Sequence, residues 1–396
     1  MSMTKPDKSQ SRMSTANRHA FAAFLLAAAA CLPLGAAERS DMPWLNVEFP
    51  RDSPVAVVSF SLGDSTASVR GISLALGLHT SLTLRNSSNK HLRGLTLLVE
   101  AQDLTPSGRA SVTVPSLDVP PGEVFPVRVD LELLRPFNTT RTAGALVQVS
   151  LDCVLFDDFS SYGPDKIHSR RNLMVYEIEA RRDRDYFRRL IETGQLAKLQ
   201  QELNFGLPDM RAPELGFELL TDVREISTPG RAVPVAVVPF PDAPAAVLKG
   251  AATIYRNEVV VPQVDLRNRT QRTLDTIEIG WIFHDNDGRG YVAGSLPAHV
   301  QIGPVQQATI SQPAVLRFSR PSGRPLLVDS LSAFVSNVQF SDGGVWIPSR
   351  TDIANANIDP ALKRVMVSSP EQQRLVEIYR RKGMDALAAE LKKSGK

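Results

Sequence analysis

Apolar residues alternate with polar ones along most of this chain and change to helical spacing in only a few places. Leu95, Leu97 and Val99 fall on every second residue, as do Ile277, Ile279 and Trp281. That is the period of a strand with one buried face. Leu196, Leu199 and Leu203 are instead three and four apart, and Met384, Leu387 and Leu391 repeat the spacing. Such a stripe predicts an amphipathic helix.

These patterns occur twice. Ser53–Phe60 (SPVAVVSF) resembles Val233–Phe240 (VPVAVVPF), and LRNSSNKHLRGLTLLVEAQD (84–103) aligns without a gap on LRNRTQRTLDTIEIGWIFHD (266–285). VSLDCVLFDD (149–158) matches AFVSNVQFSD (333–342), which places Cys153 against Asn337. In the helical parts Glu202 answers Glu390. Self-similarity of this kind marks a repeated module. The prolines of VPVAVVPF suit an edge strand, where a missing N–H is tolerated. Turn signals at Asn86-Ser-Ser-Asn, Pro120-Pro-Gly122 and Asp287-Gly288 separate short strands, as in an antiparallel sandwich. Ser369-Pro370-Glu371-Gln372 reads as a helix start with a capping-box Gln, and Gly383 breaks that helix from the next.

The predicted class is therefore mainly β: two tandem antiparallel immunoglobulin-like β-sandwiches, each followed by a short helical segment. The expected order is a leader (1–37), a first sandwich (50–165), helices (166–205), a linker (206–229), a second sandwich (230–350) and closing helices (351–396). The string Trp281-Ile-Phe283-His-Asp285-x-Asp-Gly288, preceded by Asn-x-Thr, resembles the FxLYD-type immunoglobulin-like modules of exported prokaryotic proteins. The first copy has Val99-Glu-Ala101-Gln-Asp103 there and keeps only the Asp. The resemblance implies a fold and carries no site residues with it.

The N-terminus changes the reading of charge. Lys5, Lys8, Arg12 and Arg18 precede an Ala-rich apolar run broken by Pro33 and Gly35, the three parts of a secretory signal peptide. Either Met1 or Met13 serves as its start. This leader holds the chain's whole formal charge of +3, so the remainder is neutral and gives no support for nucleic-acid binding. Cys31 sits within the leader, where lipid attachment is the alternative to plain cleavage; Leu32 follows it and no leucine stands three residues before it. Cys153 is then alone, expected as a buried thiol.

Candidate chemistry is sparse. Gly63-Asp64-Ser65 after a strand, with Asp165-Lys-Ile-His168, resembles the nucleophile block and Asp-x-x-His of SGNH-type hydrolases. That chemistry needs Ser65 and His168 on a parallel α/β sheet, and no helical pattern separates the strands between them. The corresponding stretch of the second copy reads as Pro241-Asp-Ala-Pro244, a bare turn. Asp285 and Asp287 are spaced as in a calcium loop, but Leu296 stands where a bidentate Glu belongs, which favours a hairpin turn. His79, His91, His168, His284 and His299 show no zinc spacing, and no phosphate-cradling glycine motif occurs, so no metal or cofactor is expected. Asn86, Asn138 and Asn268 begin N-x-Ser/Thr triplets that turn chemistry also explains.

Residues 166–189 hold eight Lys/Arg against four Asp/Glu. Arg181, Arg182, Arg184, Arg188 and Arg189 form the candidate binding surface, for an anionic envelope polymer or lipid headgroups, against the reading of a solvated helix face. The expectation is an exported, non-catalytic binding protein of the envelope, with a protein or anionic polymer as partner. The hydrolase is the alternative.

Overall fold

The computed structural model describes residues 45–70, 73–101, 109–136, 147–205, 216–220, 230–294, 297–311, 315–319 and 324–393. The leader with Met1, Met13 and Cys31, and also Asp103, Asn138 and most of 206–229, lie outside the described residues. The chain is mainly β. Its first half runs β1 (Leu45–Glu48), β2 (Val55–Ser61), β3 (Thr66–Arg70), β4 (Ser73–Asn86), β5 (Leu92–Ala101), β6 (Arg109–Val114), β7 (Val124–Pro136), β8 (Val147–Phe156) and β9 (Ser161–Tyr162), then α1 (Ser169–Glu192) and α2 (Leu196–Phe205). Its second half runs β10 (Gly216–Leu220), β11 (Arg231–Pro234), β12 (Ala236–Val237), β13 (Ala245–Tyr255), β14 (Glu258–Asn268), β15 (Leu274–Asp285), β16 (Gly290–Ala293), β17 (Ala298–Ile302), β18 (Gln307–Ser311), β19 (Val315–Ser319), β20 (Val328–Phe340) and β21 (Val345–Trp346). Helices α3 (Arg350–Asn355), α4 (Pro360–Val367) and α5 (Pro370–Lys393) close it.

Each half builds two sheets. In the first, β1-β8-β5-β6 faces a sheet centred on β4, with β2, β3 and β7 on its sides. In the second, β12-β20-β15-β16 faces β10-β19-β14-β13-β11. The alternation in the sequence explains the packing. Leu82 and Leu84 of β4 meet Leu95 and Leu97 of β5 in one apolar layer, while Leu266 of β14 meets Ile277 and Ile279 of β15 in the other. Each such leucine fully withdrawn from water contributes about 1.5–3 kcal/mol. β8 departs from strict alternation, and Cys153 to Phe156 are all buried. Its inner face belongs to this layer and its outer face is covered by α1, through Leu173 and Met174 on Cys153 and Leu155. In the second half α3 and α4 cover the outer face, with Ile353 and Leu362 clustered around Ile282 and Phe334.

The duplication is visible in the ladders. Leu92 faces Phe156 as Leu274 faces Phe340, and Thr96 faces Cys153 as Glu278 faces Asn337. Two β-bulges recur at matching places, after Leu92 and Thr96 in one half and after Leu274 and Glu278 in the other. The turns between the central strands are braced alike. Asn86 is fully buried and donates its amide to the Lys90 and Val119 carbonyls, while its oxygen accepts from Ser88. Asn268, equally buried, donates to Arg272 and Ile302 and accepts from Thr270.

One expected equivalence is corrected. Val55 of SPVAVVSF stands opposite Asn86, and the residue opposite Asn268 is Ala245, not any residue of VPVAVVPF. VPVAVVPF instead supplies β12, which runs parallel to β20 with Val237 facing Ala333; its counterpart is β1, parallel to β8 with Val47 facing Val149. Asp52-Ser-Pro54 and Asp242-Ala-Pro244 then correspond, and the Pro54 and Pro244 carbonyls accept the N–H groups of Ser87 and Arg269. Two apolar edge strands of similar composition resemble each other whatever their place in the sheet, since valine and alanine at period two suit any of them. VPVAVVPF does lie on sheet edges, as its prolines require. The stretch expected as a linker contributes β10, which pairs antiparallel with β19.

The helices form a shared layer. Phe187, Leu190, Leu199 and Leu203 from the first half pack with Leu375, Val376, Leu387 and Leu391 from the second. Gly383, at φ 82°, splits α5 as its sequence predicts. Ser369 Oγ accepts from the Gln372 N–H, the cap half of the expected capping box, while the Gln372 side chain turns to Arg350 instead.

Candidate functional site

The charged residues of α1 are placed by its packing. One flank lies on β8, so groups on the opposite flank meet α5 and the loop before α3. Glu177, almost fully buried, accepts from Arg181 and Arg184, each at 2.9 Å. Arg184 reaches on to Glu371 at 3.4 Å; Glu371 pairs with Arg374 at 2.8 Å, and Arg374 with Glu390 at 2.6 Å. A chain of alternating charges thus runs from the helix of the first half to the last helix of the second. Burial opposes the charge on Arg374, but Glu371 and Glu390 more than offset that and hold it protonated. Beside this chain, the fully buried Asp183 binds Arg182 at 3.1 Å, Arg350 at 2.9 Å and the Ser369 hydroxyl.

The five arginines expected as a basic surface, Arg181, Arg182, Arg184, Arg188 and Arg189, are engaged to different degrees within the protein. Arg184 is 4% exposed. Arg181 pairs with Glu177, bonds the Asp157 carbonyl and lies over the Phe159 ring at 4.1 Å. Arg182 donates to the Pro348 carbonyl at 3.0 Å, and Arg188 to that of Leu391 at 3.2 Å. Arg189 is exposed and bonds the Asp185 carbonyl within its own helix. Arg182, Arg184 and Arg188 thus join the halves, because each guanidinium can serve several acceptors in one plane.

Two clefts flank α1. The first, about 510 Å³, lies among α1, α2, α3, α4 and α5 and is lined by Tyr186, Lys198, Glu202, Arg350, Lys363 and Arg364 among others. On its floor Arg350 stacks over Tyr186 at 4.6 Å and Phe187 at 4.9 Å and pairs with Glu202 at 3.4 Å. Tyr186 donates to Glu202 at 3.1 Å, and burial, with the Glu202 charge, pushes its hydroxyl up to about 12. Lys198 stands 5.9 Å from the Tyr186 ring, and Lys363 donates to the Ala354 carbonyl at 2.7 Å. The second cleft, about 820 Å³, joins the start of α1 to the second half and contains Asp165, His168, Arg170, Asp275 and His299. Arg171 at its wall pairs with Glu278 at 3.1 Å and donates to Asn337.

The structure does not bring Ser65 and His168 together. Gly63-Asp64-Ser65 lies in the break between β2 and β3, which both pair antiparallel with β4. Ser65 Oγ donates to the Leu62 carbonyl and accepts from the His79 N–H at 2.8 Å, which fills the gap in that ladder. His168 lies in the second cleft, in left-handed conformation at φ 55°. In the second half β13 crosses the matching region in one piece, so Pro241–Pro244 corresponds to Arg51–Pro54 and not to this motif. Asp285 is 2% exposed and accepts from the Asp287 and Arg289 N–H groups and from Tyr291, bracing the β15–β16 hairpin. Among the described residues no group of three His, Cys, Asp or Glu converges as a metal site. Among them too, no helix is long and apolar enough to cross a membrane.

Arg350, Tyr186, Gln372 and Lys198 escaped sequence reasoning, since they lie on separate helices. The one available signal was the repeat itself. Tyr186–Glu202 and Arg374–Glu390 occupy matching places in the paired helices, two versions of one contact.

No family model matches the chain, and no curated protein matches it. Among solved structures it is similar to a selenomethionine-labelled beta-glucosidase from Kluyveromyces marxianus, at 9% identity over 67% of this chain and 45% of that one, with a TM-score of 0.16. Red sea bream transglutaminase follows at 10% identity over 69% and 31%, with a TM-score of 0.11. The chain spans less than half the length of either, and likeness at these scores says nothing of fold or activity.

Proposed function

We propose that this is an exported, non-catalytic binding protein of the cell envelope, built from two tandem immunoglobulin-like sandwiches of FxLYD type, which holds an envelope or extracellular protein. The observation that carries the reading is the use made of the helices. Their buried ionic chain and shared apolar layer fix the two β halves to one another, and so give a rigid two-module platform. Two modules held in fixed relation can engage one partner at two places, which strengthens a weak contact through effective concentration. The export half of the reading rests on the basic and apolar leader of residues 1–37.

The test is capture of the full chain, carrying a C-terminal tag, from its own host after cross-linking. A stoichiometric envelope protein, lost when Arg184→Leu loosens the platform, is the expected result. A cytoplasmic, partnerless chain would sink the proposal. So would ester hydrolysis that disappears in Ser65→Ala.

A further inference from the structure

We propose that the cleft between the helices of the two halves is a binding site for a small organic anion, a phosphate or carboxylate on a short apolar body. The cleft of about 510 Å³ lies within the range of small-molecule sites. Its charge is one-sided: Lys198, Arg350, Lys363 and Arg364 line it, and Glu202 is the single acid among its lining residues. Glu202 is already satisfied, held by Arg350 at 3.4 Å and by the Tyr186 hydroxyl at 3.1 Å. With Arg350 paired to Glu202 and Asp183, the positive charge facing the cleft comes from its lysines, Lys198 exposed at the rim and Lys363 half-buried. A concave wall of low polarizability focuses such a field inward.

The floor supplies the other half of the recognition. Val367, half-buried, lines the cleft beside the Tyr186 ring and offers a surface for an apolar body. Arg350 is fixed by Asp183 at 2.9 Å and Gln372 at 2.8 Å, with its guanidinium carbon over the Tyr186 and Phe187 rings. Its position is set before any ligand arrives, which lowers the ordering cost of binding. Residues from both halves build the cleft, so a ligand there also bridges them. This inference is independent of where the protein resides and of its protein partner.

Isothermal titration of the full chain with phenyl phosphate, beside inorganic phosphate and phenol, tests it. Phenyl phosphate is expected to bind more tightly than either fragment. Lys198→Ala/Lys363→Ala should weaken it by about tenfold or more, the scale of one lost charge-assisted hydrogen bond. Arg189→Ala, outside the cleft, should leave it unchanged. Lys363 also holds the end of α3, so Lys198→Glu is the second variant and should abolish binding without disturbing that contact. A parallel co-sedimentation with vesicles containing phosphatidylglycerol separates the sources of the anion. Lysine-dependent binding to vesicles supports a lipid headgroup in the same cleft. No binding of any probe, or binding equal in wild type and both cleft variants, overturns the proposal.

Discussion

Cys153 and Asn337 stand at the same position of two sheets, and both hold α1. Cys153 packs beneath Leu173 and Met174, while Asn337 accepts from Arg171 one turn earlier on that helix. Burial, with Asp165 and Asp152 nearby, pushes the Cys153 thiol up to about 12. Only the thiolate attacks disulfide reagents. In the native protein, labelling by a disulfide reagent at pH 8 should thus be far slower than in the urea-unfolded chain, and its rate should report the lifting of α1.

The pair Arg184–Glu371 links the halves inside a buried chain of charges. Removing one member strands the other. Arg184→Leu or Glu371→Leu should each cost about 3–5 kcal/mol in urea unfolding, and the double variant less than either single one.

Asn86 and Asn268 brace equivalent turns with at least three side-chain hydrogen bonds each. Replacement by Ala removes these bonds from the turns all at once, although the Val119, Lys90 and Arg272 carbonyls keep a second donor each. Each change should cost about 2–3 kcal/mol, and the two losses should add because the sites share no partner.

Val305 adopts φ 65° in the turn Gly303–Gln306, where the first half has Gly122 at φ 80° in the turn Pro120–Glu123. A β-branched residue is strained there. Val305→Gly should stabilise the protein by roughly 1 kcal/mol despite the added freedom of the unfolded chain, and Gly122→Val should do the reverse. Thermal denaturation of both variants checks the pair.

Glu179 lines a small recess between α1 and the second half, beside Phe334 and Met366. Burial pushes its carboxyl up to about 7; Arg182 opposes the rise, and Asp183 and Glu278 add to it. The folded state therefore keeps a proton that the unfolded chain releases near 4.5. Stability from this group is full below that value and is lost as pH rises through about 7. Glu179→Gln, neutral at every pH, should flatten that dependence and be more stable than wild type at pH 8 by about 2 kcal/mol. Urea midpoints from pH 4 to 8 would show it, and parallel curves would refute it.

The repeat was legible because its central strands, Leu92–Ala101 and Leu274–Asp285, align without a gap and place Leu95, Leu97 and Val99 against Ile277, Ile279 and Trp281. Pairing then fixes register, and the same two bulges follow. VPVAVVPF misled because edge strands carry pattern without register. The helices were legible from their leucines, but not their union: the same stripe suits packing on a sheet or on another helix. The arginines of α1 read as a solvated or binding face since sequence shows charge and not its partner. Asp183, Glu371 and Arg350 are 167 to 188 residues apart or come from different helices, and no local spacing announces such a meeting.

The parallel pairing of β1 with β8 has a mechanical consequence. A pull on the chain ahead of Leu45, resisted beyond Phe156 where β8 leads toward α1, would drag the two strands past each other lengthwise. The bonds joining Leu45–Glu48 to Val147–Ser150 would then be loaded together and not one after another. β12 against β20 repeats that arrangement. Strain entering from the N-terminal side would meet a shear clamp at the first strand of the sandwich.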